Sequence, residues 1–341
     1  MSRSDRLSAD LERGFTALED GKLDTAATIV DRCKRIDRKH PDVVALAAAV
    51  ADASGDPEGA LEQYRQLITL RPDDPMPRIC VARIELHDIG DPDAALDTVE
   101  AAFPFIDEEE DLIEAIFIKA EALVARGEPI TAREALAELA TSAIDDPELA
   151  FDLAELALSA EDAPAALRWV EVARKLMPDD PGLQADALHL VGRVHEVNND
   201  RDAMIVAWQQ VRTLDAAAPA GDLTITEDEV EKLALATLAE LPENIRKHLE
   251  RVPILIDDAP SEDIVAEGWD PRILGLYQGT PMPEDGGASP SVTTILLYRR
   301  NLERSCSDAE HLAEEIRITV LHETAHYFGL DEDDLEKIGL D

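Results

Sequence analysis

Lysine is scarce in this sequence, with eight among 341 residues, so its positive charge rests on arginine. Lys and Arg together number 32 against 74 Asp and Glu, a formal net charge of −42. A surface so negative repels phosphate. It excludes a nucleic-acid interface over much of the protein and disfavours docking on anionic membranes, so neither nucleic acid nor membrane is an expected partner. Cysteine is also sparse. Cys33, Cys80 and Cys306 are odd in number and far apart, which excludes a disulfide framework and a CxxC zinc site and leaves buried free thiols. No run of about 18 apolar residues occurs. The N-terminal MSRSDRLSADLERGFTALEDG lacks the apolar stretch of a signal peptide. A cytoplasmic protein is the expectation.

What is present is a core. Hydrophobic residues make up 45% of the chain and recur at helical spacing, so acidity does not imply disorder. They also recur at a longer period. GDPEGALEQYRQLITLRPDDP from Gly55 and EDAPAALRWVEVARKLMPDDP from Glu161 have equal length and the same ending. Related segments begin at Gly21, Gly90, Gly127 and, more weakly, Asn198, giving spacings of 34, 35, 37, 34 and 37. Each unit reads as an apolar helix, a turn carrying Gly, Asp or Asn, and a second helix. A small residue holds a fixed place in the second helix (Ala26, Ala60, Ala95, Ala132, Ala166, Ala203), and a larger one usually follows four positions later (Val30, Tyr64, Val99, Leu136, Val170). Pro72 and Pro178 stop second helices. Such units expose an apolar face that only a neighbour can cover, so they stack. Over roughly residues 8–217 these features resemble the tetratricopeptide repeat (TPR), although the Trp and Tyr usual in its first helix are mostly missing. That resemblance implies an all-α superhelix of about six units, with a groove that takes a protein or peptide ligand.

The texture changes after residue 217. The expected organisation is a repeat domain at 1–217, a linker of small residues, Pro and Gly at 218–225, and an α+β domain at 226–341. Thr226 and Glu229 are spaced as a capping box opening a helix. VPILIDD, RILGLYQG and VTTILLYRR read as short strands, and the loop TPMPEDGGASPS between the last two is no phosphate loop, because no GK[ST] follows. A long helix starts at Asp308 and carries His322-Glu323-Thr324-Ala325-His326.

HExxH on a helix is a metal motif with a mechanical basis, the alternative being a pair of hydrogen-bonded histidines on a partly buried helix. Residues i and i+4 share one face, so both imidazoles reach one ion, and the intervening Glu projects about 100° round, beside it. Zinc suits two neutral imidazoles plus an oxygen ligand. A third protein ligand must come from nearby, since only 15 residues follow His326. Gly329 can turn the chain back, and Asp331, Glu332, Asp333 and Asp334 are the candidates. HETAHYFGLDE has the spacing HExxHxxGxxE and resembles the metzincin motif, whose last position is a ligand and is here Glu332; Asp331 and Asp333 are the alternatives. His is usual at that position, and Asp occurs.

With LPENIRKHLERVPILIDDAPS, ILGLYQGTPM, ILLYRRNLERSC and IRITVLHETAHYFGLDEDDLEKIG, nearly all of residues 226–341 resembles the small bacterial zincin-like metallopeptidases, the minimal zincins. The resemblance implies a small mixed sheet packed on an active-site helix, with His322 and His326 as zinc ligands, Glu323 as general base, and a carboxylate after Gly329 completing the site. Ala325 and Tyr327 stand where Gly and His are common; neither change removes a catalytic group. Tyr327 reads as an oxyanion donor or a core tyrosine, Arg299-Arg300 as a substrate-carboxylate contact or a surface charge pair, and Cys306 as packing. Two functions follow. One is a zinc peptidase that hydrolyses peptide bonds through a metal-activated water, its repeats recruiting a substrate or partner, with basic peptides favoured by the charge. The other is a TPR adaptor whose zincin domain is structural or inactive. Retention of Glu323 favours the enzyme.

Overall fold

In the computed structural model, the structure describes residues 3–219, 221, 223–249, 252–279, 294–330 and 334. The chain divides into two compact units, Met1–Ala173 and Arg174–Asp341.

The first unit is helical throughout. Its helices run in hairpins: α1 (Arg3–Glu19) with α2 (Leu23–Asp37), α3 (Pro41–Ala53) with α4 (Pro57–Leu70), α5 (Met76–His87) with α6 (Pro92–Glu100), and α7 (Glu109–Ala125) with α8 (Pro129–Ala137), followed by α9 (Pro147–Ser159) and α10 (Ala163–Leu176). The unit boundary falls in the last turn of α10. The repeat period marks the hairpin turns. Gly21, Gly55, Gly90 and Gly127 adopt left-handed backbone with φ between 70° and 75°, and Glu161 takes the equivalent place at φ 58°. Left-handed backbone costs least at glycine, which explains the residue type of the turn. The fixed small positions Ala26, Ala60, Ala95, Ala132 and Ala166 are fully buried, and Val30, Tyr64, Val99, Leu136 and Val170 are buried beside them. Asp56, Asp91 and Asp146 each accept a backbone N–H at a helix start, with Pro as the first helical residue.

The second unit opens with a further hairpin, α11 (Pro181–Val197) and α12 (Arg201–Ala217), turning at Asn199 (φ 57°). Ala203 is only half-buried, in keeping with the weaker copy of the repeat. Then come α13 (Glu227–Glu240), α14 (Glu243–Leu249), β1 (Ile254–Asp257), α15 (Glu262–Ala266), β2 (Gly275–Gln278), β3 (Thr294–Tyr298), α16 (Arg299–Ser305) and α17 (Ala309–Tyr327). The capping box expected at α13 forms, with Thr226 and Glu229 reciprocally bonded. The three strands lie in the order β1-β3-β2, β3 parallel to β1 and antiparallel to β2, a mixed sheet. β3 is buried along its whole length because it is central. One face of the sheet, with Ile295 and Leu297, packs on Ile316 and Val320 of α17 and Val230 of α13. The other face buries Leu276, Leu296 and Tyr298. The fold is therefore all-α repeats followed by a small α+β domain. Two short helices, α15 and α16, differ from the strand-like texture of that region. Ser261 caps α15 through Ile264 N–H, a local signal hidden between strands. Among the described residues, no helix is long and apolar enough to cross a membrane.

Candidate metal centre

α17 is the element that makes the site. Asp308 accepts the N–H groups of Glu310 and His311 and starts the helix. Leu312, Ile316 and Val320 bury one side of it against the sheet. Gly329, in left-handed backbone at φ 82°, ends it. This anchoring fixes the last two turns, where His322, Glu323 and His326 sit.

The two imidazoles converge: His322 Nε2 and His326 Nε2 lie 3.0 Å apart. Two imidazole nitrogens bound to one tetrahedral zinc ion at about 2.0–2.1 Å stand about 3.3 Å from each other, so the pair suits one shared ion. His326 Nδ1 is 3.0 Å from the carbonyl oxygen of Leu330, to which it donates. That bond places the ring proton on Nδ1 and leaves the Nε2 lone pair facing His322, the arrangement a metal-binding imidazole needs. Glu323 is only 6% exposed, and such a buried carboxylate requires a strong reason to be there. All three side chains line one cavity of about 530 Å³ with Trp269, Ile273, Gly275, Tyr277 and Leu330.

Gly275 on β2 explains how Glu323 fits. A Cβ at that position would stand 2.7 Å from Thr319 Cγ2 and 3.0 Å from both Cγ and Oε1 of Glu323. The strand can pass this close to the helix only because the residue is glycine. Tyr298 lies nearby, fully buried; its burial and the charges of Asp257 and Glu323 push its pKa well up, so it remains a neutral phenol. A larger hollow of about 760 Å³ borders α13, α14 and β1, but its charged lining is Glu231, Glu243, Arg246 and Lys247, with no histidine. The two converging imidazoles are on α17.

Residues 249–340 match the family model described as Zincin-like metallopeptidase. The crystal structure of PilW, described as a widely conserved type IV pilus biogenesis factor, aligns over 61% of this chain and 92% of its own, with 15% identity and a TM-score of 0.52. Pseudomonas aeruginosa pilF aligns over 63% and 95%, with 18% identity and a TM-score of 0.51. A thermophilic TPR protein of Thermus thermophilus covers 54% of this chain and 98% of its own, at 20% identity and a TM-score of 0.44. The chain therefore has a TPR-like fold of stacked helical hairpins, followed by a C-terminal domain that matches the zincin-like model. At such identities the solved structures speak for fold alone. No curated protein matches the chain.

Within the zincin-like domain, the structure brings together three of the four residues singled out for the site: His322, Glu323 and His326. Glu332, the proposed third ligand, and its alternatives Asp331 and Asp333 lie outside the described residues, as does the loop TPMPEDGGASPS. Among the described residues, no group of three or more His, Cys, Asp or Glu side chains is placed to hold a metal. Tyr327 donates its hydroxyl to the His248 carbonyl at 3.4 Å and meets Tyr277 and Phe328 edge-on, which is a packing role. Arg299 pairs with Asp258 and, at 2.8 Å, with Glu303, whose side chain is largely buried, and it does not line the cavity. Cys306 is half-buried against the domain core. Two residues of the site were not anticipated: Gly275, whose signal was a glycine inside a strand, and Trp269, which the sequence marks only as one of three tryptophans.

Proposed function

We propose that the zincin-like domain is a zinc-dependent peptidase and that the TPR array recruits a substrate or partner protein. The observation that supports this reading is the convergence of the two imidazole Nε2 atoms, 3.0 Å apart and hydrogen-bonded to each other, beside a buried glutamate in one cavity. His322 and His326 would hold zinc, with a carboxylate after Gly329, Glu332 first among the candidates, as third ligand. Zinc held there would supply a Lewis acid and would lower the pKa of a bound water towards about 7. Glu323 takes the proton of the attacking water on its carboxylate and delivers it to the leaving amine. The His326–Leu330 bond keeps that imidazole in one tautomer and orientation. The organisation is a repeat domain at 1–217 and a peptidase domain at 226–341, in a cytoplasmic protein. The negative charge of the chain favours a basic peptide as the ligand of the repeats.

Metal analysis of purified wild type and His322→Ala, paired with hydrolysis by wild type and Glu323→Gln, tests this. Expected are about one zinc per chain in wild type, its loss in His322→Ala, and zinc retained but hydrolysis lost in Glu323→Gln. Wild type without zinc under metal-replete conditions defeats the reading. Zinc without hydrolysis of any peptide leaves the adaptor function, with a structural zincin domain.

A further inference from the structure

The cavity at the site has one wall that the HExxH helix does not supply. It is the segment following α15, residues 267–273. Trp269 on that segment is 46% exposed, yet it lines the same cavity as His322, Glu323 and His326. Ile273 and Leu330, the latter 37% exposed, extend the apolar surface beside it. What sets this ring apart from the other exposed apolar side chains is its place in the wall of the cavity, where it offers a ligand an apolar face.

The segment is held from outside the strand-and-helix core. Asp270 Oδ2 lies 2.7 Å from His189 Nε2 of α11. Arg272 reaches Asp215 of α12 through Nε at 2.9 Å and a second nitrogen at 3.1 Å, and Asp186 of α11 at 2.7 Å. The two-pronged bond to Asp215 fixes the plane of the guanidinium as well as its position. Arg201 of α12 donates to the Glu267 carbonyl. On the opposite side, buried Asn301 donates to the carbonyls of Pro271 and Ile273 at 2.9 and 2.8 Å. Beneath the segment, Val265 of α15 packs with Leu188, Met204, Trp208 and Val211 of the hairpin. A wall tied by this many directional bonds has a set position relative to the cavity.

We propose that Trp269 is a specificity-determining residue, forming a subsite for a large apolar side chain of the peptide, and that α11 and α12 position it through His189 and Arg272. The proposal rests on the peptidase reading for the identity of the ligand as a peptide. The ring offers a flat apolar face, and Ile273 and Leu330 complete a surface that an alanine side chain is too small to cover. The last hairpin of the repeat period thereby acts as part of the peptidase site.

Binding is measured on the full chain carrying Glu323→Gln, so that no turnover intervenes. The probes are acetyl-Gly-Phe-Gly-amide and acetyl-Gly-Ala-Gly-amide, and the readout is the ratio of their Kd values by calorimetry or NMR titration. The Phe peptide is expected to bind at least about tenfold tighter, and Trp269→Ala to bring the ratio within about twofold. His189→Phe keeps a ring against Trp208 while losing the bond to Asp270; it is expected to shrink the ratio and leave the Ala peptide unaffected. A loss of packing alone would weaken both peptides together. No preference in the parent, or a preference untouched by Trp269→Ala, overturns the proposal. Hydrolysis of the same peptides by wild type separates the two claims. If neither is cleaved while the Phe preference persists, the peptidase reading fails and the subsite stands. If both are cleaved with no dependence on Trp269, the subsite fails and the peptidase stands.

Discussion

Glu323 depends on an atom that is not there. The missing Cβ of Gly275 leaves the space in which the glutamate lies along the sheet. Gly275→Ala would place a methyl 2.7 Å from Thr319 Cγ2 and 3.0 Å from Cγ and Oε1 of Glu323, against a helix that Ile316 and Val320 hold to the sheet. The side chain must then move, since the backbone on both sides is fixed by packing. A displacement of about 1 Å of a proton-transfer group costs on the order of a hundredfold in rate. Overpacking of this kind costs about 1–3 kcal/mol of stability. Contacts at 3.0 Å are relieved by a few tenths of an ångström, so the expected result for Gly275→Ala is a kcat on peptide lowered by less than that hundredfold, with zinc content unchanged because neither histidine is touched. Unchanged kcat with a lowered melting temperature would show that Glu323 has room to adapt. The motif on α17 could be read from five consecutive residues, since i and i+4 on a helix is a local relation. Gly275 could not, because its role arises from a contact across 48 positions that exists only once β2 and α17 have packed.

Helices and turns were legible for the same local reason. Caps, Pro at the first helical residue and left-handed turns are written within four or five positions of one another, so the repeat period located all six hairpin turns among the described residues. The sheet order and α16 were less so, because pairing partners are set by the finished domain. The turns also permit a test of what the period is made of. Around Gly55 and Gly90 an added Cβ would meet nothing within 4 Å, so sterics with neighbours do not require glycine there. Only the backbone at φ 70° and 72° does. Gly90→Ala is thus expected to cost about 1 kcal/mol, a pure backbone term. At the equivalent turn between α9 and α10, Glu161 already bears that strain at φ 58°. Glu161→Gly should stabilise by up to about 1 kcal/mol, reduced by the extra freedom of glycine in the unfolded chain. Urea denaturation of both variants checks the pair, and equal destabilisation by the two would contradict the turn assignment.

At the scale of the whole chain, the net charge of −42 is not one kind of charge. Some carboxylates stabilise helix ends. Asp308 and Glu229 accept hydrogen bonds there, which hold their pKa values below the usual carboxylate range. Others are held against their preference. In the first unit, desolvation and then neighbouring acids raise the pKa of Asp111 and of Asp152. Glu114 and Glu121 are raised by desolvation as well, opposed by Arg83 and His87 respectively. The signs decide the pH dependence. A carboxyl whose pKa is higher folded than unfolded binds its proton more tightly in the folded state, so stability falls as pH rises through that interval. The penalty is complete above the raised pKa and relieved as pH drops towards the unfolded value of about 4. The depressed groups act in a lower window, where their contribution disappears as pH falls through their folded pKa. The first unit should consequently melt at a higher temperature at pH 5.5 than at pH 7.5, and added NaCl should raise the value at pH 7.5 by screening the same repulsion. Glu114→Gln removes one of the desolvated charges. It is expected to raise the melting temperature at pH 7.5 and to narrow the gap between the two pH values, measured by scanning calorimetry on the full chain. A gap left at its original width by Glu114→Gln, or a first unit less stable at pH 5.5, would mean that these carboxylates find enough water or counter-charge to ionise without cost.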